Sequence, residues 1–388
     1  MITNRFLDWQ CRGFFLAGVV GVAMLAARPP VQAQQDKPNV IVDGPTCPAC
    51  RLTLSPPVIL GDPGDSVVSE WPTSVRMQKN GRIIATFPNK HDPPAVFDSK
   101  GRFRQRLGRK GPGPGEFEAA AELAVDPNDT VFVSDRTGRL SVFSPGLQFV
   151  RSVVMPFSVR GMVAVGPSDL VINATIRDRE SVGMPFHLLD HSGRKVGAIG
   201  DRTRSYLQDG GRRSLHRLAA AQAGGFWAAP VFGNYRLERW TAAGRREAYL
   251  QRVARWFVPM PDHVSETMDP VILDPPVSTI DGVWEDVRGL IWVVARTRDS
   301  RGPGPTETIR TPEGPAKVEA NIDLSWDSVV EVIDPERAVV VASQRFDQLL
   351  VAAVGGGYVL HVREQKDGGI RLEVLRLTLA GFPKPQRR

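Results

Sequence analysis

Short apolar runs recur along the chain, each a few residues long and each ended by a tight polar turn. One stretch shows the pattern most plainly. Leu123-Ala124-Val125 runs into Asp126, Pro127-Asn128-Asp129 turns, and Val131 to Asp135 forms a second run. Arg136-Thr137-Gly138 turns again, Leu140 to Phe143 alternates, Ser144-Pro145-Gly146 turns, and Leu147 to Val153 closes the set. Runs of this length, rich in β-branched and aromatic residues and bounded by Gly, Pro, Asn and Asp, predict four antiparallel strands in a meander.

The same order returns through the chain. Second strands are expected at 82–86, 130–134, 169–172, 225–228, 289–294 and 357–362. Third strands follow at 95–97, 140–143, 186–189, 236–240, 328–333 and 370–375. Six units of about 59 residues result. Four-stranded units repeated radially make a β-propeller, in which each blade buries its faces against its neighbours. The fold class expected is therefore all-β: a six-bladed propeller of four-stranded antiparallel blades. The last unit lacks its fourth strand, and a spare strand lies before the first, from Leu52-Thr53-Leu54 to Val58-Ile59-Leu60. That N-terminal strand is expected to pair with the last blade and close the ring, leaving no free sheet edge.

The first 33 residues read differently. Arg5 and Arg12 precede an uninterrupted apolar run from Phe14 to Ala27, and Val31-Gln32-Ala33 offers a cleavage site. This is the layout of a secretory signal, and its apolar run is shorter than a bilayer span needs. Residues 1–33 are thus expected to be a signal peptide and 34–388 one propeller domain, periplasmic or secreted. Retention of the leader as an N-terminal anchor is the alternative. No later apolar run is long enough to span a membrane.

Composition changes this picture little. Hydrophobic residues at 42% and charged residues at 23% suit a folded soluble chain. The net charge of +7 gives a weak bias toward anionic partners. Export, and the lack of a basic run with interleaved aromatics, argue against nucleic acid. Beyond the leader only Cys47 and Cys50 remain, in Cys-Pro-Ala-Cys. Redox, haem and zinc readings lack their further residues: no βαβ unit, no His at 51, no second ligand pair. A local Cys47–Cys50 disulfide is expected instead.

The segment from Phe97-Asp98-Ser99-Lys100-Gly101 through Leu107-Gly108-Arg109-Lys110-Gly111-Pro112-Gly113-Pro114-Gly115-Glu116-Phe117 to Leu123-Ala124-Val125-Asp126 resembles the NHL repeat. The match covers roughly residues 95–153; elsewhere only the strand order agrees. The resemblance is to exported bacterial six-bladed propellers of NHL type. It implies a binding or scaffolding role, with calcium- or zinc-dependent lyases, lactonases and esterases as a minority. No catalytic set of those enzymes maps onto this sequence.

Loop lengths point to one face. Turns between first and second strands are short, whereas nearly all long insertions lie on the other face, including 253–278 and 297–325. Long loops on one face of a rigid scaffold are where binding concentrates; a mere cap is the plain alternative. Arginines follow the second strands on that face: Arg136, Arg177, Arg296 and Arg363. Guanidinium groups suit carboxylate or phosphate, so these four are the candidate ligand-binding residues. A solvated rim paired with Asp135, Asp178, Asp299 and Glu364 is the competing reading. Glu122, Asp281 and Asp347 are the candidate calcium ligands of a metal-dependent hydrolase or lyase. The leading expectation is a monomeric, cofactor-free, non-enzymatic propeller that engages a protein or a small anionic ligand at its mouth.

Overall fold

The apolar runs are strands, and they group into six four-stranded antiparallel sheets set as the blades of a propeller. The computed structural model describes residues 37–383 apart from 62–66, 69, 88–91, 156, 167–168, 191, 203–211, 262–263, 265–272, 274, 300, 303–305, 312–313, 320–324 and 366–368, with backbone alone over 306–311 and 314–319. The leader expected at 1–33 lies outside these residues, as do His91, His191 and His263 and parts of both long loops.

Three short N-terminal strands come first: β1 (Asn39–Ile41), β2 (Arg51–Leu54) and β3 (Val58–Ile59). Blade 1 is β4 (Ser74–Met77), β5 (Ile83–Thr86), β6 (Ala95–Phe97) and β7 (Phe103–Arg106). The crossing to the next blade holds the parallel pair β8 (Arg109–Lys110) and β9 (Glu116–Phe117). Blade 2 is β10 (Ala120–Val125), β11 (Val131–Asp135), β12 (Arg139–Phe143) and β13 (Phe149–Val154). Blade 3 is β14 (Val159–Ala164), β15 (Leu170–Ala174), β16 (Phe186–Leu189) and β17 (Lys195–Ile199). Blade 4 is β18 (His216–Ala220), β19 (Phe226–Pro230), β20 (Arg236–Trp240) and β21 (Arg246–Arg252). Blade 5 is β22 (Thr279–Glu285), β23 (Ile291–Arg298), β26 (Trp326–Asp334) and β27 (Val339–Phe346), with the hairpin β24 (Thr306–Thr311) and β25 (Gly314–Glu319) inserted after β23. Blade 6 is β28 (Leu350–Gly355), β29 (Tyr358–Glu364) and β30 (Ile370–Ala380).

The ring closes as the sequence predicts. β2 pairs antiparallel with β30, and β3 continues along the same strand, so the N-terminal segment supplies the missing fourth strand of blade 6. The inner strands touch in a full circle: β4 meets β10, β10 meets β14, and so on round to β28 against β4. Second strands such as β5, β11, β15 and β19 are buried throughout, because both faces press on other blades. That is why they read as continuous apolar runs rather than alternating ones. The core is accordingly divided into one apolar cluster at each blade interface. The cluster joining blade 6 to blade 1, with Val75, Ile83, Phe97, Leu360 and Val374, completes the circle.

Two local devices recur. In the turns after β6, β16 and β22, an Asp side chain caps its own loop. Asp98 Oδ1 accepts from Lys100 N and Arg102 N at 2.9 and 3.0 Å. Asp190 and Asp286 do the same four residues deep. In the GxGPGEF crossing, Glu116 accepts from Gly113 N at 2.8 Å and from Arg109 Nε at 2.5 Å. Gly108 there has φ +75°, and a Cβ on it would lie 2.3 Å from the Gly115 carbonyl oxygen. The glycines of this motif thus close a loop, as their sequence suggests.

One feature had no sequence signal. β1 adds to blade 4 as a parallel fifth strand, pairing with β21. The chain then bonds along blade 5, Val42 N to Ala338 O at 2.9 Å and Thr46 N to Val340 O at 2.8 Å, before becoming the edge of blade 6. The N-terminal segment is therefore a belt across three blades. The Cys47–Cys50 disulfide forms as expected and sits on that belt where blades 5 and 6 meet. Under the belt, Arg252 of blade 4 pairs with Glu331 of blade 5 at 3.1 Å and with Asp43 at 2.7 Å.

Candidate functional site

The axis of the ring holds a cavity of about 260 Å³, and it lies where the inner strands begin. Strand starts face the side that carries the blade crossings, so the cavity opens on the long-loop face. Trp71, Pro72 and Thr73, leading into β4, form part of its wall.

The charged residues of the wall come from equivalent places in successive blades. In four inner strands the ladder to the second strand is interrupted at one level: between Ala120 and Leu123, Val159 and Gly161, Ile280 and Gly282, and Leu350 and Ala352. A β-bulge puts an extra residue into one strand and re-aims its side chain. The residues inside these bulges include Glu122, Arg160, Asp281 and Val351, and all four line the cavity. Blades 1 and 4 pair without interruption and contribute Arg76 and Arg217. Going round the ring from blade 1, the axial side chains are Arg76, Glu122, Arg160, Arg217, Asp281 and Val351. Arg296 joins them from β23, whose long course places it directly opposite Thr279, the first residue of β22.

These groups are held unequally. Asp281 is almost wholly buried; its Oδ1 accepts from the Thr279 hydroxyl at 3.1 Å and its Oδ2 lies 3.3 Å from Arg296 Nε. Arg217 approaches Asp281 at 3.8 Å. The Arg296 guanidinium also lies over the Trp326 ring, 5.3 Å from its centre. Arg76 donates to the carbonyls of Val75 and Ala353 at 2.9 and 3.3 Å, and Arg160 donates to the Ser214 hydroxyl at 2.8 Å. Glu122 differs: among the described residues no hydrogen bond reaches its carboxyl. Burial pushes that carboxyl up to about 7, against the pull of Arg76, Arg217 and Arg136. Burial likewise lowers the Arg76 guanidinium from its usual value. His216, also in the wall, is driven down to about 3 by burial and by the nearby Arg236, so it is neutral at pH 7. Among the described residues the wall thus carries four arginines against one ion-paired carboxylate, Asp281, and one raised to about 7, Glu122.

The four arginines expected at the mouth are not brought together. Arg296 lies in the axial wall. Arg136 is exposed, yet near enough to Glu122 to act on its carboxyl. Arg177 is exposed and lines a separate groove of about 730 Å³ between blades 2 and 3, with Val153, Phe157 and Lys195. Arg363 is exposed on β29, opposite Arg371 of β30. Of the three acids expected to hold calcium, Glu122 and Asp281 share the axial cavity. Asp347 stands on the outer surface, paired with Arg301 at 2.5 Å. Among the described residues, no three His, Cys, Asp or Glu side chains gather in a way that would hold a metal ion. Trp256 and Phe257, an aromatic pair in the 253–278 loop, pack against Tyr235 between blades 4 and 5, Trp256 edge-on and Phe257 tilted, as a plug. Arg76, Arg160 and Arg217 were not singled out from sequence. Their signal is a charge close to the start of a first strand.

Residues 65–178 match the model of a family described as a 6-bladed beta-propeller. No curated protein matches the chain in sequence. Among solved structures, the chain is similar to a Bacteroides fragilis protein described as exported, with a TM-score of 0.57 at 11% identity over 88% of this chain and 100% of that one. It also matches the extracellular domain described for a hybrid two-component system of Bacteroides thetaiotaomicron, with a TM-score of 0.42 at 10% identity over 81% of this chain and 39% of that one. A Thermus thermophilus protein described as an oxidoreductase (glucose dehydrogenase) gives 0.42 at 15% identity over 84% of this chain and 100% of that one. The family match and the likeness to the Bacteroides fragilis protein support the propeller fold. Among the described residues no helix is long and apolar enough to cross a membrane.

Proposed function

We propose that this chain is an exported binding propeller that takes a small anionic ligand, a carboxylate or phosphate, into the axial cavity on its long-loop face. The observation that carries this reading is the convergence of Arg76, Arg160, Arg217 and Arg296, from four different blades, on one cavity where, among the described residues, Asp281 is the ion-paired carboxylate. Guanidinium groups in a partly desolvated pocket bind carboxylate or phosphate by charge-assisted hydrogen bonds, and their planar forks fix its orientation. The cavity is smaller than the roughly 300–1,000 Å³ typical of drug-sized ligand sites, which points to a compact acid. Export rests on the apolar leader at 14–27, and the NHL kinship on the Gly-rich motif at 107–117.

Isothermal titration with malonate, inorganic phosphate and glucose tests the reading. Saturable binding of malonate or phosphate, weakened in Arg76→Gln, with no response to glucose, is the expected result. Binding of glucose alone, or of none of the three, contradicts it.

A metal-dependent hydrolase or lyase is the second reading, because two of its three expected acids do share the cavity. Its test is the melting temperature in millimolar calcium and then in EDTA. A ligand that binds only the native state raises stability by mass action. The binding reading expects the two melts to coincide; a rise of several degrees in calcium favours the enzyme.

A further inference from the structure

We propose that the axial site takes up its anion together with one proton, and that Glu122 is the group that receives it. The inference rests on the anion-binding reading above and concerns how the same site works.

Glu122 sits in a bulge of β10 that turns its side chain onto the axis. Every other charged group of the wall has a partner of its own: Arg296 and Arg217 have Asp281, Arg160 has Ser214, and Arg76 has two carbonyls. The Glu122 carboxyl has no hydrogen bond among the described residues, and it faces the cavity. The charges around it are known from each neighbouring element. Arg76 comes from β4, Arg160 from β14, and Arg217 with the neutral His216 from β18. Asp281 and Arg296 come from blade 5. At the end of β11, Arg136 draws on Glu122, while Asp135 is turned away to the backbone of Glu118 and Ala119. Among the described residues, blade 6 presents the apolar Val351, Ala352, Ala353 and Leu360.

Ionised, Glu122 is therefore the resident counter-ion of Arg76 and Arg217, the guanidiniums that an incoming anion also needs. A second carboxylate brought into the site disfavours the charge on the first, and the less well-bonded one takes the proton. The balance is simple. A proton from solvent forms an O–H bond on the Glu122 carboxylate, and the ligand carboxylate takes over the guanidinium hydrogen bonds. The neutral Glu122 hydroxyl becomes a donor toward the ligand. Burial raises the affinity of this carboxyl for a proton, which agrees with that role.

Malonate is the probe. Calorimetry in phosphate-free buffers of different ionisation enthalpy, at pH 8, counts protons taken up on binding. The expected result is close to one proton per malonate, with affinity falling about tenfold per pH unit above neutrality, the full slope of one linked proton. Glu122→Gln, which mimics the protonated carboxyl, should take up none. It should also bind at pH 8 at least as tightly as the unaltered protein does at pH 6. Binding to Glu122→Gln at pH 8 where the unaltered protein shows none has the same meaning. Malonate binding without proton uptake, or with equal uptake in both proteins, overturns the inference and leaves the anion reading standing. No malonate binding to either protein at any pH overturns both. If Glu122→Gln fails to fold, the proton count on the unaltered protein decides alone.

Discussion

Glu122 and Asp281 occupy equivalent bulges in the inner strands of blades 2 and 5, which stand opposite each other in a ring of six. Their surroundings divide their roles. Asp281 is locked to Thr279 and Arg296 and holds the arginine wall in place. Glu122 faces the same cavity with no hydrogen bond to its carboxyl among the described residues, so it answers to pH and to whatever enters. A ring that repeats its backbone geometry has placed one structural acid and one responsive acid at matching sites.

Arg296→Gln should weaken anion binding about 10- to 100-fold. Losing a charge-assisted hydrogen bond costs about 1.5–3 kcal/mol, and 1.4 kcal/mol is tenfold in affinity. Stability should fall little, because Asp281 keeps Thr279 and Arg217. Calorimetry with malonate, beside a urea melt, checks both parts.

The pH dependence of stability has two opposed sources. Burial holds His187 near 4 and His216 near 3 in the folded chain, below the usual 6.5. Their contribution is present above pH 6.5 and is lost as pH falls from 6.5 toward those values. Glu122 is raised from 4.5 to about 7, so its contribution is full below 4.5 and is lost as pH rises through about 7. Burial also raises Glu238 and Asp327, which act in the same direction as Glu122, so the histidine part is isolated by His187→Asn, which should lose less stability than the unaltered protein between pH 6.5 and 4.5. Glu122→Gln should melt above the unaltered protein at pH 8 but not at pH 5. Differential scanning calorimetry across pH 4–9 reads both effects.

The belt should be a determinant of stability. Arg252→Ala leaves Glu331 buried and unpaired, which costs about 3–5 kcal/mol. Arg252→Met with Glu331→Leu should restore most of it, since an apolar pair of similar volume can replace a buried ion pair. Urea denaturation of the two variants tests this; equal loss in both would show that the ion pair itself is needed.

Cys47 and Cys50 close a loop of four residues. The chain-entropy argument gives such a small loop about 2 kcal/mol. Reduction should therefore lower the melting temperature by a few degrees without unfolding the ring, and Cys47→Ser with Cys50→Ser should match the reduced protein. Near-ultraviolet circular dichroism during the melt follows the blade tryptophans Trp227, Trp240 and Trp326, all buried.

The strands and their closure were legible because each blade announces itself with apolar runs and turn residues. Leu52 to Leu60 stood out as a strand without a partner, and β30 lacked one. The axial site was only half legible. Arginines following the second strands were expected at one mouth, but β11 ends at Asp135 and β15 at Ala174, so Arg136 and Arg177 fall beyond the sheet. β23 runs on to Arg298 and carries Arg296 to the axis. The bulges that aim Glu122, Arg160 and Asp281 insert one residue without any pattern of their own, so the ring of charge was not readable as a ring. β1 was missed for a related reason: a parallel pairing with a strand some two hundred residues away leaves no turn between the partners.

The most direct measurement is the crystal structure of the protein soaked with malonate. The anion is expected on the propeller axis, with carboxylate oxygens within hydrogen-bonding distance of Arg76, Arg217 or Arg296 and beside Glu122. Malonate held only elsewhere, such as the groove at Arg177, with Arg76 and Arg296 still engaged as they are now, would contradict it.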